Sequence, residues 1–386
     1  MEYSILDLFA GCGGLGYGFK SNKKFKINLA NDIWKPAMNT YKFNNPEVPF
    51  ILDDIGNLKE DTLKEYFPSG VSVIIGGPPC QGFSMCGVRD IEDKRNDLFY
   101  EYARIVNFTK PYIFVMENVK GLLSMKNKDG RLTIDAIYDE FEKSGYIIKH
   151  KILNSKYYNV PQSRERVIII GIRNDCPDNY QYPIPLLEDG NEFTIEDALY
   201  GLGNKDSLNG DLTIEETYKN EYYDIIKGNG KIYNHIIPNH KEDVIHRMSL
   251  VPQGGNWKDI PKEYRVGGIH SNAYRRLHNK KTSVTIKHAY KSMIIHPNYN
   301  RCLSIREVAR LQSFPDDYIF KDTRTSQYQQ LANAVPPNLS KALADSIFQY
   351  LYKNNIKPFN VATGSNNFIM NKTEKNIQLS FIDRAI

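Results

Sequence analysis

One cysteine stands in a setting that favours nucleophilic chemistry. Cys80 lies in the run GGPPCQGFS (residues 76–84), directly after an apolar segment. Two prolines stiffen the backbone immediately before the thiol, and glycines flank the loop on both sides. A free thiol has a pKa of about 8.5 and becomes a nucleophile where its surroundings favour the thiolate. This loop therefore predicts a reactive thiol. The ordinary interpretation of a lone cysteine, a small buried apolar residue, is kept for Cys12, Cys86, Cys176 and Cys302.

A carboxyl group and two guanidinium groups could serve the same site. Glu117 directly follows an apolar strand candidate, so its carboxyl could hydrogen-bond to a substrate ring nitrogen or protonate it. In the segment PQSRER, Arg164 and Arg166 share one face of a strand, whereas Glu165 points away. Two guanidinium groups on one face suit a substrate carbonyl and a phosphate, or support of the cysteine loop. An R-x-R pair is common on surfaces, so this segment is informative only beside the others.

A glycine-rich turn near the N-terminus could hold a nucleoside. The run DLFAGCGGLG (residues 7–16) fits G-x-G-x-x-G, and a tight turn without a ligand stays open as the alternative. Asp32 follows the next strand candidate, where a carboxylate can bind a ribose, and Asp54 follows the short run Pro49–Leu52. The turn contains no Lys or Arg to meet phosphate. The acidic positions therefore suit a nucleoside better than a pyrophosphate.

Alternating β and α patterns position these residues. Apolar runs with little alternation are typical of strands buried on both faces of a sheet. Their alternation with helical patterns predicts an α/β fold with a doubly wound, mostly parallel sheet. The predicted strands are Tyr3–Phe9, Phe25–Ala30, Val71–Ile75, Tyr112–Met116, Ile147–Leu153 and Val167–Ile172, and the predicted helices include Lys35–Phe43, Asp97–Phe108, Leu132–Lys143 and Asn338–Tyr352.

Residues 176–300 differ in amino-acid composition from the part of the chain before them. This segment is dense in Asn, Gly, Tyr, His and Lys, which predicts a smaller inserted domain that is irregular or β-rich. Residues 231–300 hold 12 Lys or Arg against 4 Asp or Glu, together with seven of the eight histidines. The predicted division is 1–175 for the main domain, 176–300 for the insertion, 301–353 for a return to the main domain, and 354–386 for a tail of unassigned role.

Composition excludes several classes of protein. A net charge of +5 on 386 residues is too small for a histone-like polycation, so charge must be concentrated on one face if the protein meets a polyanion. The five cysteines include no CxxC pair, which argues against a disulfide framework or a zinc cluster. No apolar run approaches the ~20 residues of a membrane span, and the N-terminus does not read as a signal peptide. We therefore expect a soluble, cytoplasmic protein without metal or membrane association.

The order of these motifs resembles the DNA (cytosine-5) methyltransferases of the bacterial restriction–modification type. The motifs are DLFAGCGG, GGPPCQGFS, ENV, QSRER, REVARLQSFP and QLANAVP, and the resemblance covers roughly residues 3–173 and 301–350. It implies a Rossmann-like methyltransferase fold with the inserted segment as target-recognition domain. It also implies S-adenosylmethionine as cofactor, double-stranded DNA as substrate, and a monomer that needs no complex with the cognate restriction endonuclease.

The resemblance further implies a role for each motif residue. Cys80 would add to C6 of a flipped-out cytosine, while Glu117 would contact N3 and the exocyclic amine. Arg166, together with Arg164, would hold the O2 side and the cysteine loop. One departure concerns the ribose position, where the family usually has Glu followed by an aromatic residue and this chain has Asp32. The residues implied to bind the cofactor are Phe9, Ala10, Gly11, Gly13, Gly14, Leu15, Asp32, Ile33, Asp54, Ile55, Pro78, Leu98, Asn333 and Ala334.

The inserted segment should contact DNA. Its basic window can bind phosphates without regard to sequence, and an arginine there could read guanine in the major groove. The histidine-rich window lacks the spacing of a metal site. The predicted DNA contacts are Gln81, Ser84, Gln253, Arg275, Arg276, His278 and Lys287.

Three alternatives stay open. An RNA cytosine-5 methyltransferase of the transfer-RNA branch would have the same fold, but the Cys-Phe-Thr element of that branch is absent here. A catalytically silent DNA-binding relative would not need Cys80, Glu117 and Arg166. An NAD-binding Rossmann enzyme would explain the glycines and leave the P-P-C-Q loop unexplained.

Overall fold

A seven-stranded sheet forms the centre of the computed structural model, which describes residues 2–79, 97–126, 130–214, 219–265 and 273–359. Its strands are β1 Tyr3–Leu8, β2 Phe25–Asp32, β3 Phe50–Leu52, β4 Val73–Gly76, β5 Ile113–Val119, β6 Tyr146–Asn154 and β7 Glu165–Arg173. Their order is β3-β2-β1-β4-β5-β7-β6. Pairing is parallel from β3 to β5, whereas β7 is antiparallel to both of its neighbours. The predicted doubly wound, mostly parallel sheet is confirmed.

Helices cover both faces of this sheet. Alternate strand residues enter two separate hydrophobic clusters, so that Ile5 faces one layer and Leu6 the other. The first cluster includes side chains of α1, α2 and α11, and the second includes side chains of α3, α4 and α5. Each fully buried Leu or Ile in such a cluster contributes roughly 1.5–3 kcal/mol. The helices, in chain order, are α1 Gly14–Ser21, α2 Lys35–Asn44, α3 Glu60–Tyr66, α4 Asp97–Thr109, α5 Thr133–Lys143, α6 Ile195–Leu199, α7 Glu221–Ile226, α8 Glu242–Ser249, α9 Ile305–Leu311, α10 Arg324–Asn333 and α11 Pro337–Lys353.

Close packing of α11 on α1 brings the C-terminal part of the chain to the glycine-rich turn. A side chain at Gly18 would overlap the backbone of Ser340, so only glycine allows this approach. Pro337 suits the first turn of α11 because its missing N–H would have no helical partner there. The helix thereby fixes where residues 333–335 lie relative to the ends of the strands.

The described part of the inserted segment is irregular, with short helices and a two-stranded antiparallel sheet, β8 Ser207–Leu212 and β9 Ile232–His235. Its apolar side chains, from Ile195 to Ile294, share one hydrophobic cluster with side chains between Leu303 and Ala334. The border predicted at residue 301 therefore falls inside a continuous core. The chain rejoins the core of the main sheet at Val335.

Buried arginines of α9 attach this helix to the inserted segment. Arg310 makes two hydrogen bonds to Asp316, at 2.8 and 2.7 Å, and donates to the carbonyl oxygens of Ala198 and Tyr200. Arg306 donates to three further backbone carbonyls and is also fully buried. Buried guanidinium groups need such complete pairing because an unpaired buried charge is strongly destabilising.

The described residues include no helix that is long and apolar enough to cross a membrane. Within the same residues, no group of three His, Cys, Asp or Glu side chains is placed to hold a metal ion. Cys12, Cys176 and Cys302 are buried free thiols.

Candidate active site

Pairing of β5 with β7 brings Glu117 and Arg166 together. Val119 lies opposite Arg166 in this antiparallel pair, and Glu117 is two residues back on the same face of β5. Arg166 Nε lies 2.9 Å from Glu117 Oε1, and the two side chains are only 12% and 11% exposed. Among the described residues, no hydrogen-bond donor is aligned on Oε1. The pair thus places a largely buried carboxylate, one oxygen of which has no aligned donor, beside a fixed positive charge.

The loop that leads to the cysteine begins beside this pair. β4 is the parallel neighbour of β5, so Gly77 follows the strand end next to Glu117. A side chain at Gly77 would come within 3.2 Å of Glu117 Oε2. Asn118 donates from Nδ2 to the carbonyl oxygen of Pro78 at 3.0 Å, which holds the loop at its second residue. Cys80 itself lies outside the described residues, as do the predicted DNA contacts Gln81 and Ser84.

The side chain of Arg164 is buried and hydrogen-bonds to another part of the protein. It is 2% exposed, and its Nη2 donates to the carbonyl oxygen of Ala332 at 3.0 Å, near the C-terminus of α10. Burial and, to a smaller extent, the charge of Arg166 lower the pKa of this guanidinium to about 9, with Glu117 opposing the shift. Arg164 remains charged at neutral pH. It connects the strand edge that carries Arg166 to the segment that carries Asn333.

The glycine-rich turn is held by a carboxylate from the next strand. Asp32, at the end of β2, accepts from the Gly11 N–H through Oδ2 and from the Trp34 N–H through Oδ1, both at 2.8 Å. Burial raises the pKa of Asp32, whereas these backbone N–H groups lower it. Gly11 and Gly13 have φ values of 55° and 91°, a region that favours glycine. The carboxylate and the turn therefore form one unit at the carboxyl edge of the sheet.

The other predicted cofactor residues on the first strands lie along this same edge. Ile33 follows Asp32 and is 66% exposed, which leaves a large apolar side chain beside a buried carboxylate. Asp54 accepts from the Gly56 N–H at 2.8 Å and precedes the buried Ile55. Phe9 adopts φ 53°, a strained value for a non-glycine residue of the kind that clusters at functional sites.

Two later segments complete this edge. A side chain at Gly14 would overlap the carbonyl oxygen of Val335, so the chain around Ala334 lies directly against the turn. Asn333 is exposed and accepts from Gln329 Nε2 at 2.9 Å. Leu98 is half-buried at the start of α4 and packs on the second hydrophobic cluster. The structure therefore brings together residues that are up to about 325 positions apart in the chain.

The prediction that Arg276 contacts DNA is wrong for this structure. Arg276 is 6% exposed, and its guanidinium donates to the carbonyl oxygens of Val251, Met248, His296 and Tyr299 and to Asn300 Oδ1, at 2.6–3.0 Å. Every nitrogen of the group is used. Arg276 holds the inserted segment together, and a run of two adjacent arginines in the sequence does not distinguish this role from DNA binding.

The remaining predicted DNA contacts lie at or near the surface. Lys287 is exposed, and Arg275 and His278 are half-buried. Gln253 donates to Asn298 Oδ1 at 3.1 Å. Nothing in these positions opposes contact with DNA, so they stay predictions.

Arg276 and Lys287 should behave oppositely when mutated. Arg276→Met should lower the free energy of unfolding by about 3 kcal/mol, because several buried carbonyls lose their donor. Lys287→Ala should leave unfolding unchanged, weaken DNA binding, and reduce the slope of log Kd against log salt by about 0.9, as for one lost phosphate contact. Urea denaturation and fluorescence anisotropy at several salt concentrations measure the two effects. The reverse pattern would refute both assignments.

Sequence reasoning missed three residues that support the site. Asn118 holds the cysteine loop, as described above. Asn154 hydrogen-bonds to the segment before Arg166, and Thr285 donates to the carbonyl oxygen of Ser163 at 2.8 Å. These contacts join segments far apart in sequence. Asn118 is part of the E-N-V motif, which could have drawn attention to it, whereas Asn154 and Thr285 stand in no motif.

Fold and site together define an α/β methyltransferase. The family profile described as C-5 cytosine-specific DNA methylase matches residues 3–349. The chain therefore belongs to this family and is a DNA (cytosine-5-)-methyltransferase.

Relatives extend over nearly the whole chain. Type II methyltransferase M.DdeI of Desulfomicrobium norvegicum is 40% identical over 379 residues, covering 92% of this chain and 90% of its own length. Type II methyltransferase M1.HphI of Haemophilus parahaemolyticus is 36% identical over 353 residues, covering 90% and 87%. A crystal structure from E. coli, described as a DNA modification methyltransferase encoded within a prophage, aligns with a TM-score of 0.74 and 25% identity over 91% of this chain and 100% of its own.

Proposed function

We propose that this protein methylates C5 of a flipped-out cytosine within a specific duplex DNA sequence, through a covalent bond between Cys80 and C6. The observation that carries the proposal is the Glu117–Arg166 pair at the strand ends, directly beside the loop that continues to Cys80. The relatives named type II methyltransferases support a place in a restriction–modification system, as the enzyme that protects host DNA.

The residues divide the chemistry among them. The Cys80 thiolate adds to C6, which makes C5 electron-rich enough to react with an electrophilic carbon. Glu117 binds N3 and the exocyclic amine, and the adjacent Arg166 binds O2, so that charge developing on the ring meets fixed partners in a site shielded from water. Removal of the C5 proton then expels Cys80 and restores the aromatic ring. Base flipping is required because both ring faces are covered in a duplex.

The edge formed by the first three strands fits S-adenosylmethionine. In this proposal Asp32 binds ribose hydroxyls and Ile33 offers an exposed apolar surface to the adenine. Its two chain neighbours aside, none of the described residues has an atom within 4 Å of the position that a side chain at Gly11 would occupy. The turn contains no cationic side chain, as suits a ligand without phosphate. When bound, S-adenosylmethionine supplies a methyl group activated by its sulfonium. Phe9, Ala10, Gly13, Gly14, Leu15, Asp54, Ile55, Pro78, Leu98, Asn333 and Ala334 complete the binding site that we propose.

Methyl transfer to defined substrates tests this function. The purified protein should transfer labelled methyl groups from S-adenosylmethionine to duplex DNA, and bisulfite sequencing should locate 5-methylcytosine at one recurring sequence. Transfer RNA should remain unlabelled in parallel reactions. Labelling of transfer RNA alone would replace the proposal by the RNA enzyme, and absence of labelling on both would favour a silent DNA-binding relative.

A further inference from the structure

The chain just before Arg166 is held by one amide side chain. Asn154, the last residue of β6, accepts from the Arg164 N–H through Oδ1 at 3.1 Å. Its Nδ2 donates to Ser163 Oγ at 3.0 Å. The same Oδ1 lies 3.3 Å from the Lys156 N–H and begins a short 3₁₀ turn there. One side chain thus connects the end of β6 to the residues that enter β7.

These bonds act where regular pairing stops. The ladder between β6 and β7 ends at the pair formed by Asn154 and Glu165. Arg164 lies beyond this last pair, so its N–H makes no hydrogen bond within the ladder. The N–H donates instead to the side-chain oxygen of Asn154. Ser155 continues the connection, since its N–H donates to the Arg164 carbonyl at 3.0 Å and its hydroxyl to the Gln162 carbonyl at 2.7 Å.

The inserted segment holds the same residues from the other side. The Ser163 N–H donates to the Ser283 carbonyl at 2.8 Å, and the Thr285 hydroxyl donates to the Ser163 carbonyl at 2.8 Å. Ser163 is therefore hydrogen-bonded on one side to Asn154 of β6 and on the other to residues 283–285 of the inserted segment. This segment ends two residues before the predicted DNA contact Lys287. The side chains of Asn154 and Thr285 both hydrogen-bond to Ser163. Without Asn154, only the bond from Thr285 would remain of these two.

We infer that Asn154 is a positioning residue for methyl transfer, which sets the backbone at Ser163–Arg164 so that Arg166 lies against Glu117 before the cytosine arrives. This inference rests on the proposed roles of Arg166 and Glu117. Their ion pair forms across β5 and β7, so its geometry depends on where β7 begins. A shift of about 1 Å in a substrate-orienting group can lower a rate by roughly a hundredfold, which makes such support important.

Three variants at this position test the inference. Asn154→Ala removes all three bonds, and we expect kcat to fall about 10- to 100-fold while the KM values for DNA and S-adenosylmethionine stay within about twofold. Asn154→Ser keeps a cap for the 3₁₀ turn but is too short to span to Ser163, so it should show the same fall in kcat even if the alanine variant folds poorly. Asn154→Asp keeps the acceptor for Arg164, and the Ser163 hydroxyl can donate to it, so kcat should return to within about threefold of the wild type.

Asn22→Ala provides a matched control. Like Asn154, Asn22 accepts from the N–H two residues ahead and donates to a side chain of a distant segment, here Asp345, but it lies where α1 ends. It should lose comparable stability and keep the wild-type kcat. Glu117→Gln is measured in parallel. If that variant shows the expected large fall in kcat while both Asn154→Ala and Asn154→Ser keep the wild-type kcat, or if Asn154→Asp does not restore kcat, the inference is refuted and the proposed function stands. Full activity of Glu117→Gln would instead overturn the proposed function.

Discussion

Methyl transfer to DNA is expected to fall by about four orders of magnitude or more in the Cys80→Ser variant, as when other covalent enzymes lose their nucleophile. A serine hydroxyl keeps the size of the thiol but is hardly ionised near neutral pH, so it cannot add to C6 at a comparable rate. Binding of DNA and S-adenosylmethionine should be retained, because the proposed contacts of both ligands lie on other residues. Single-turnover transfer of a labelled methyl group measures the loss.

A substituted DNA distinguishes covalent catalysis from other roles of Cys80. DNA with 5-fluorocytosine at the target position should trap wild-type protein as a stable adduct, because C5 then carries no proton to lose. Cys80→Ser should form none. Cys176→Ser is the control, since Cys176 is a buried thiol that follows the far end of β7 and should leave both adduct formation and turnover unchanged. Full turnover in Cys80→Ser would eliminate the covalent mechanism.

Glu117→Gln should lower kcat by about a hundred- to a thousandfold, the range for loss of a group that stabilises charge in a transition state. The amide has the same shape as the carboxylate but cannot carry a proton to N3. It also leaves Arg166 without the charge that lies 2.9 Å from its Nε. The rate of adduct formation with 5-fluorocytosine DNA should fall by a similar factor, because the effect precedes methyl transfer.

Glu165→Gln makes the same chemical change on the opposite face of β7. Glu165 forms an exposed ion pair with Lys120 at 3.0 Å, of a kind that contributes at most about 1 kcal/mol. Its kcat should stay within about twofold of the wild type. Equal losses in the two variants would mean that net charge around β7, and not the position of Glu117, controls the rate.

Most of the fold could be predicted from local patterns. The strand predicted at Phe25–Ala30 is β2 Phe25–Asp32, and the helix predicted at Leu132–Lys143 is α5 Thr133–Lys143. These segments could be predicted because a strand buried on both faces requires an unbroken run of apolar residues. An amphipathic helix requires apolar residues that recur every three to four positions. The reversed direction of β7 carried no comparable signal, because direction depends on which neighbours a strand finds in the sheet.

The limits of prediction are clearest in the arginines. Arg164, Arg166, Arg275 and Arg276 occur in two similar-looking pairs in the sequence. Arg166 meets Glu117 and Arg164 meets the Ala332 carbonyl, while Arg276 is enclosed by backbone carbonyls. Guanidinium groups suit all of these environments, so residue type alone could not assign the roles. The border predicted at 301 stays a prediction, because a change in composition need not coincide with a break in the hydrophobic core.

The sequence by itself determined the chemistry available to this protein, because the cysteine loop, the E-N-V carboxylate and the glycine-rich turn are each contiguous runs whose function depends on local backbone and residue type. Only the tertiary structure decided how these groups combine. The antiparallel register of β5 and β7 places Arg166 on Glu117, and the packing of α11 on α1 brings Val335 to the turn. Both arrangements depend on contacts between distant segments, whose free energy is realised only when the whole sheet and its two layers have formed.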